Sequence, residues 1–456
     1  MSERATFRLS ALALAALLGG CSLTPALEKP AAPVAASYPG QAAAATATGQ
    51  LPAWESFVTD ARLREVIKLA LQNNRDLRVA TLNIEQVRAQ YQVKRADQWP
   101  SVNAVVSGNR QPTTSGGMSS VYTAGLAMAS WEIDFFGRLG SLKDAALAQF
   151  LASEEARRAA QTSLVASVAS TWLSLQTDEA LLALTQRTMS TREDSLRLSK
   201  LRFDNGATSA LDLRQAESLT AAARSTLAQQ QRARALDINS LTLLVGQEVP
   251  ANLLPGAADV APFQAVPEGL PSELLTRRAD IRQAEQAMVA ANANIGAARA
   301  AFFPRISLTT SVGTVSNQLS GLFKDGSWGF SLAPQALLPI FDMGRNQANL
   351  DVAKVGRDTA IAQYEKAIQV AFREVADALA GRATLGEQLA AQELQAKAEA
   401  ERFRLAELRY KNGVSSYLDV LDAQRSLFAT QQALAQSRLA QQQNQVALYK
   451  ALGGGY

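Results

Sequence analysis

Two textures of hydrophobic and polar positions alternate along the chain. In the first, apolar residues recur every seven positions: Val168, Leu175, Leu182, Met189, Leu196 and Phe203 form one comb. A second comb runs Ile361, Ile368, Val375, Arg382, Leu389, Ala396, Phe403 and Tyr410, interrupted only at Arg382. A spacing of seven held for so long predicts coiled-coil packing rather than one amphipathic helix on a globule. The surrounding stretches are rich in Ala, Gln, Leu and Arg and contain no proline, which is helical composition. They predict two helices of 66 residues, 139–204 and 346–411, each roughly 100 Å long at ~1.5 Å per residue. Helices 209–245 and 416–452, of 37 residues each, return along them. Two more, 60–98 and 272–303, run up to the Trp99-Pro100 and Phe303-Pro304 breaks.

The second texture is almost uncharged. Between 101 and 131 only Arg110 carries charge, and between 306 and 341 only Lys324 and Asp325. Alternation is visible in Tyr122, Ala124, Leu126 and Met128 against Thr123, Gly125, Ala127 and Ala129, and again in Ile306, Leu308, Thr310 and Val312. Strands are predicted at 101–107, 121–131, 306–315 and 328–340, grouped in hairpins over about 101–133 and 305–341. Strands of about ten residues, apolar on one face and small or polar on the other, suit an outer-membrane barrel. Surface hairpins on a helical body are the plainer reading. Four strands cannot close in lipid, eight would fill with side chains, and twelve begin to enclose a lumen. A trimer is therefore predicted.

The body is written twice. Arg202–Leu219 (RFDNGATSALDLRQAESL) recurs 207 residues later as RYKNGVSSYLDVLDAQRS, and Gly137-Arg138 recurs as Gly344-Arg345 at the same offset. Upstream the offset is 204, with Trp99-Pro100 matching Phe303-Pro304 and Asp76-Leu77-Arg78 matching Asp280-Ile281-Arg282. The repeats span 53–271 and 272–456. Irregular, proline-rich 250–271 and the C-terminal tail 451–456 stand apart from both textures.

Arg4 and Arg8 precede a short apolar run, 9–20, that ends at Cys21. Positive flank, apolar core and small residues predict a secretory signal over 1–20, too short for a mature spanning helix. Gly19-Gly20-Cys21 resembles the lipobox of bacterial lipoproteins. That resemblance makes Cys21 the first mature residue, carrying acyl chains such as palmitate as the only covalent group. No other cofactor and no metal are expected. A plain signal with an incidental cysteine is the alternative. Ser22 rather than Asp after the cysteine favours outer-membrane sorting, by the same resemblance. Ala/Pro/Thr-rich 21–52, with Glu28 and Lys29 as its only charges, reads as an extended tether.

Composition narrows the chemistry. The 456 residues include no histidine and one cysteine, which removes Ser-His-Asp and Cys-His catalysis, Cys/His zinc sites and intramolecular disulfides. A formal charge of +4, from 45 basic and 41 acidic residues, gives no basic patch for nucleic acid. No enzyme is expected.

The repeated turns, about 205–212 and 412–422, hold the candidate chemistry. Asn205-Gly206 and Asn412-Gly413 follow long helices, where glycine suits a left-handed cap. Ser209-x-x-Asp212 and Ser416-x-x-Asp419 read as capping boxes with Asp replacing Glu. Asp422 is not explained by duplication, because its counterpart is the neutral Gln215. It is either a residue of a solvated helix face or, on a threefold axis, part of an acidic ring attracting cations.

Together these features resemble the TolC-like outer membrane factors, in their NodT-type lipoprotein branch. The resemblance rests on the lipobox, the opening stretch 54–77, the twin proline helix ends, the twin Gly-Arg and the twin N-G-x-x-S-x-L-D turns. It implies an α/β membrane protein: a trimeric 12-stranded outer-membrane β-barrel continuing into a long periplasmic α-helical coiled-coil barrel, with a small equatorial domain. It implies a lipid-anchored outer-membrane channel, the exit duct of a tripartite efflux pump for drugs or other small molecules. The partners would be a periplasmic adaptor and an inner-membrane transporter of the resistance-nodulation-division type. It also implies a periplasmic gate at Asp422, Asp419 and Tyr410, with Ser415 standing where the family has an arginine partner for the tyrosine. Arg197 and Arg404 beside the turns are candidate adaptor contacts by position. A duct for type I protein secretion is the alternative within the fold. A pore-less coiled-coil lipoprotein is the alternative outside it.

Overall fold

Each proline break marks the place where helix gives way to strand. The computed structural model describes residues 22–35, 37–38, 51–114, 116–257, 263–265 and 277–454. The signal segment 1–20 and Cys21 therefore lie outside the described residues, as does 272–276. In chain order the helices are α1 (Trp54–Phe57), α2 (Ala61–Asn73), α3 (Arg75–Ala96), α4 (Arg138–Asp204), α5 (Ala210–Val245), α6 (Ala279–Ala300), α7 (Arg345–Lys411) and α8 (Tyr417–Ala451). The strands are β1 (Val102–Pro112), β2 (Met118–Ile133), β3 (Arg305–Ser316) and β4 (Trp328–Leu337). The long helices α4 and α7 have 67 residues each, one more than the sequence reading, and α5 and α8 have 36 and 35. Among the described residues no helix is long and apolar enough to cross a membrane.

The chain divides into two units. One contains Leu82–Glu155, Arg282–Lys366 and the N-terminal segment up to Ala32; the other contains Pro33–Thr81, Ala156–Ile281 and Ala367–Tyr456.

In the first unit the four strands form one antiparallel sheet in the order β1-β2-β3-β4, leaving β1 and β4 as open edges. Register sorts side chains cleanly by face. Ala104, Leu126, Val312 and Phe330 make one row, and Val106, Ala124, Thr314 and Trp328 the next, all on one apolar face. Asn103, Ala127, Ser311 and Ser331 lie in a row on the other, polar face. That face also carries Val105, Gly125, Gly313 and Gly329 in register. A Cβ on Gly125 would stand 2.3 Å from the Val312 carbonyl oxygen, and one on Gly313 2.3 Å from that of Ala124. Only glycine permits this approach, and such a row lets strands bend toward one face.

A β-bulge interrupts β2 between Met128 and Trp131, with Ser130 at φ 48°. The extra residue reverses the faces below it. Trp131 joins the apolar side opposite Leu308, and Glu132 turns to the polar side opposite Ser307. Without the bulge the carboxylate would have met the apolar face. There Glu132 is buried and accepts from Arg138 at 2.8 and 2.7 Å, with Arg305 at 2.6 Å.

Of the segment read as a tether, 36 and 39–50 also lie outside the described residues; the described stretch 22–30 has neither helix nor strand and is held rather than loose. The Thr24 hydroxyl pairs with that of Ser141 at 3.1 Å, and the carbonyls of Leu23 and Pro25 accept from Arg299 and Asn292. Lys29 pairs with Glu285 at 2.9 Å and lies over the Tyr364 ring.

In the second unit the predicted helix 60–98 is broken at Asn74. Its side chain caps α3 by accepting from the Leu77 amide and donates to the carbonyl of Leu244, 170 residues away. Phe57 stacks on Tyr449 with ring centroids 4.0 Å apart and on Phe263 at 5.0 Å, and Tyr449 donates to the Pro52 carbonyl. Trp172 is fully buried, and its indole N–H donates to Leu253. The sixth helix begins at Ala279 rather than at 272. Just ahead of it, Arg278 donates to Asp280, Glu374 and the Ala451 carbonyl, so one buried guanidinium pins three segments. Three acceptors are what a buried arginine needs to offset its desolvation.

Candidate functional site

The two repeated turns lie in the second unit, and their helix ends are built alike. After α4, the Gly206 amide donates to Phe203 and the Ala207 amide to Arg202; after α7, Gly413 donates to Tyr410 and Val414 to Arg409. Gly206 and Gly413 sit at φ 69° and 72°, the left-handed cap expected from the sequence. The Asn205 and Asn412 side-chain amides each reach back to a carbonyl four residues earlier, of Leu201 and Leu408.

The helix starts that follow are unlike. Ser209 and Asp212 form a complete capping box: the Asp212 amide donates to Ser209 Oγ at 3.2 Å, and Asp212 Oδ2 accepts from the Ser209 amide. The Ser209 and Thr208 hydroxyls also donate to Asp212, which holds its carboxyl below the usual range. In the second turn Ser416 makes no side-chain cap bond, so its expected box with the exposed Asp419 is not formed.

Asp422 is neither a free ring carboxylate nor a merely solvated one within the chain. Arg402 Nη2 donates to its Oδ2 at 2.6 Å and Arg425 to its Oδ1, and Arg402 also holds Glu399 at 3.2 Å. The Arg402 hydrogen bond, followed by the charge of Arg425, keeps Asp422 below the usual carboxylate range. Arg402 lies ten positions before Asn412 and Asp422 ten after it, and residues equidistant from a tight turn face each other. That signal was available in the sequence.

Tyr410 has its ring face occupied. The Arg202 guanidinium stands 5.2 Å from the ring centroid, and Tyr417 packs at 5.0 Å on a 44° tilt. Ser415, at the position of the missing arginine, has a buried hydroxyl without a hydrogen bond. A cation from the first repeat thus meets an aromatic ring from the second. Arg192 does the same one level away, 5.2 Å from the Phe428 ring, while donating to the Leu219 carbonyl at 2.9 Å. Burial pushes the Arg192 pKa down, and its Nε is unpaired. Two groups result, Arg202 and Tyr417 about Tyr410, and Arg402 and Arg425 about Asp422, of which the sequence pattern pointed only to Tyr410 and Asp422.

Arg197 and Arg404 are exposed and are not drawn into either group. Each pairs one turn back on its own helix, with Asp194 at 2.5 Å and Glu401 at 2.7 Å. Beside them Leu198, Leu201 and Leu211 are exposed, and so are their repeat counterparts Leu405, Leu408 and Leu418. Further along the same helix pairs Asp178 is raised to about 6 by burial, with the charges of Asp237 and Glu179 adding to the shift.

The sequence matches the outer membrane efflux protein family over residues 66–247 and 270–454. The chain belongs to that family. It is 47% identical, over 98% of its length and 95% of the relative's, to the antibiotic efflux pump outer membrane protein ArpC of Pseudomonas putida. It is also 47% identical, with the same coverage, to the toluene efflux pump outer membrane protein TtgC of Pseudomonas putida. The open-state MtrE outer membrane channel of Neisseria gonorrhoeae superposes with a TM-score of 0.86 at 40% identity, covering 95% of this chain and 98% of that one. This efflux channel is thus the outer-membrane component of an efflux pump, with the fold of the trimeric outer-membrane channels. Four strands from each of three chains make its barrel, and the apolar face of each sheet is the one that suits lipid.

Proposed function

We propose that the channel passively exports antibiotics and apolar aromatic solvents, the classes named for its relatives, with energy supplied by an inner-membrane transporter of the resistance-nodulation-division type. A periplasmic adaptor docks on the tip turns. The observation that carries this reading is the duplicated set of exposed leucines, Leu198, Leu201 and Leu211 with Leu405, Leu408 and Leu418. Six like positions on two like hairpins offer a partner the same apolar surface twice. Arg197 and Arg404 rim that surface.

Cys21 carries the lipid anchor. Leu23, two residues on, is bonded to Arg299 near the end of α6, just before the chain enters β3. The described N-terminus therefore stands at the foot of the sheet, where acyl chains on Cys21 reach the inner leaflet.

The gate is the contact between the two repeats at the tip. Arg202 over Tyr410 is worth about 0.5–1 kcal/mol, and Arg192 over Phe428, where both partners are buried, about 2 kcal/mol. One of each in three protomers amounts to roughly 8–9 kcal/mol. Moving a two-state equilibrium from 1:99 to 99:1 takes about 5.5 kcal/mol. Adaptor contacts on the neighbouring leucines can supply that difference, and opening is a population shift.

The test is accumulation of a fluorescent efflux dye in a deletion strain, its parent and a strain complemented with the parent gene or with Leu198→Asp/Leu405→Asp. Higher dye in the deletion, restored by the parent gene but not by the double variant at equal trimer level, supports export and docking. Equal dye in deletion and parent contradicts the export reading.

A further inference from the structure

The sheet leaves two edges unpaired, β1 and β4, and lipid does not tolerate an open edge. In a barrel of three chains, β4 of one protomer lies beside β1 of the next. Nothing in the strand order alone says in which register they meet. The internal repeat does.

Within the chain, the foot of β2 meets the foot of β3 with Ile133 opposite Ile306. Their repeat counterparts, at offsets of 207 and 204, are Ile340 and Val102. We propose that β4 and β1 of the next protomer pair antiparallel with Ile340 opposite Val102, which sets Ala336 opposite Val106 and Gln335 opposite Ser107. Two features of the sheet agree with this register independently. β4 pairs with β3 without a bulge, whereas its counterpart β2 is bulged between Met128 and Trp131, so the register at the foot of the seam continues along it. The apolar face also stays continuous: Val102, Ala104 and Val106 on β1 share it with Trp328, Phe330 and Leu332 on β4. A slip of one residue would set polar against apolar along the whole seam.

The same operation places the joints below the strands. Inside the chain Phe136, after β2, stacks on Phe303, before β3, with centroids 4.8 Å apart. The repeat counterparts are Met343 and Trp99, and in one chain both are bare, at 84% and 71% exposure. Met343 also sits at φ 58°, a backbone state that a long side chain keeps only where its surroundings hold it. Trp99 of the next protomer is its cover, and Phe341, equally bare, flanks it.

Cysteine pairs read this register directly. Cys21 is the one native cysteine, so the parent chain is the control. Gln335→Cys with Ser107→Cys and Ala336→Cys with Val106→Cys sample the two alternating pair geometries of an antiparallel ladder. At least one therefore brings the Cβ atoms close enough for a disulfide. Mild oxidation of outer membranes should give covalent dimers and trimers, about tenfold more than Gln335→Cys paired with Val105→Cys or Asn109→Cys. A slipped pair that bonds better overturns the register. The joints are read separately, because they lie outside the strands: Trp99→Cys is combined with Phe341→Cys or Met343→Cys. A bond there supports the seam even if the strand variants fail to assemble, and no bond in either joint pair overturns it. Neither readout involves transport, so failure of the seam is distinct from failure of the export reading.

Discussion

The two tip turns descend from one repeat and end their long helices with the same bonds, yet they start their return helices differently. The first is closed on itself: Ser209, Thr208 and Asp212 satisfy one another within five residues. In the second, Ser416 caps nothing, Asp419 is exposed, and Asp422 one turn beyond it is bound by Arg402 of the preceding helix. A turn that satisfies itself can stay put while its surroundings move. One whose polar groups are held by neighbouring helices changes when those helices do. On the proposed gate, the second repeat is accordingly the part suited to move, and Arg202 on Tyr410 is the contact it would give up.

The largest effect should come from removing that contact. Arg202→Ala deletes a contact of ~0.5–1 kcal/mol in each of three protomers, which multiplies the open-to-closed ratio by roughly ten to a hundred. Planar-bilayer recordings of the purified trimer measure it. An unchanged open probability would mean that the two repeats are held elsewhere.

Capping gives a smaller and sharper contrast. Ser209→Ala should destabilise its helix start by about 1 kcal/mol, whereas Ser416→Ala should cost only a few tenths at most. Hydrogen exchange at the amides of Asp212 and Asp419 compares the two directly. Equal loss of protection at both would erase the difference between the turns.

Charge selectivity tests the second turn on its own terms. With Asp422 neutralised by two arginines, Arg402→Gln leaves its carboxylate with Arg425 alone and should raise cation over anion permeability about twofold. Gln215→Ala in the first turn should leave permeability unchanged. Reversal potentials in a salt gradient separate these outcomes.

The smallest effect concerns pH. Asp178 is raised to about 6 by burial, with Asp237 and Glu179 adding like charge and Arg234 bound to Glu179 at 2.5 Å. A carboxyl with a raised folded pKa binds more protons folded than unfolded between its ordinary value and about 6, so stability falls as pH rises through that window. Asp178→Asn should flatten this slope and lift the melting temperature slightly at pH 7.5. No change in slope between pH 4 and 6 would mean that the group is solvated.

What was readable in the sequence was what depends on neighbours along the chain. Heptads gave α4 and α7 to within a residue and Asn-Gly gave both caps; alternation located the four strands, but β1 runs on from 107 to Pro112 and β4 stops at Leu337 rather than 340. What was not readable depends on distant partners. The break at Asn74 requires the Leu244 carbonyl 170 residues away, and the start of α6 follows from Arg278, which reaches Ala451 across 173. The bulge in β2 has no local signature, because its purpose is to aim Glu132 at Arg138 and Arg305. At the tip, the repeat drew the eye to what the turns share and hid the cross-repeat partner of Tyr410.

Tyr410 decides the account. Single-channel recordings of Tyr410→Phe and Tyr410→Ala distinguish a latch that uses the ring face from one that uses the hydroxyl. The ring under Arg202 predicts that Tyr410→Phe keeps the parent's open probability while Tyr410→Ala raises it. A Tyr410→Phe channel as open as Tyr410→Ala would contradict it.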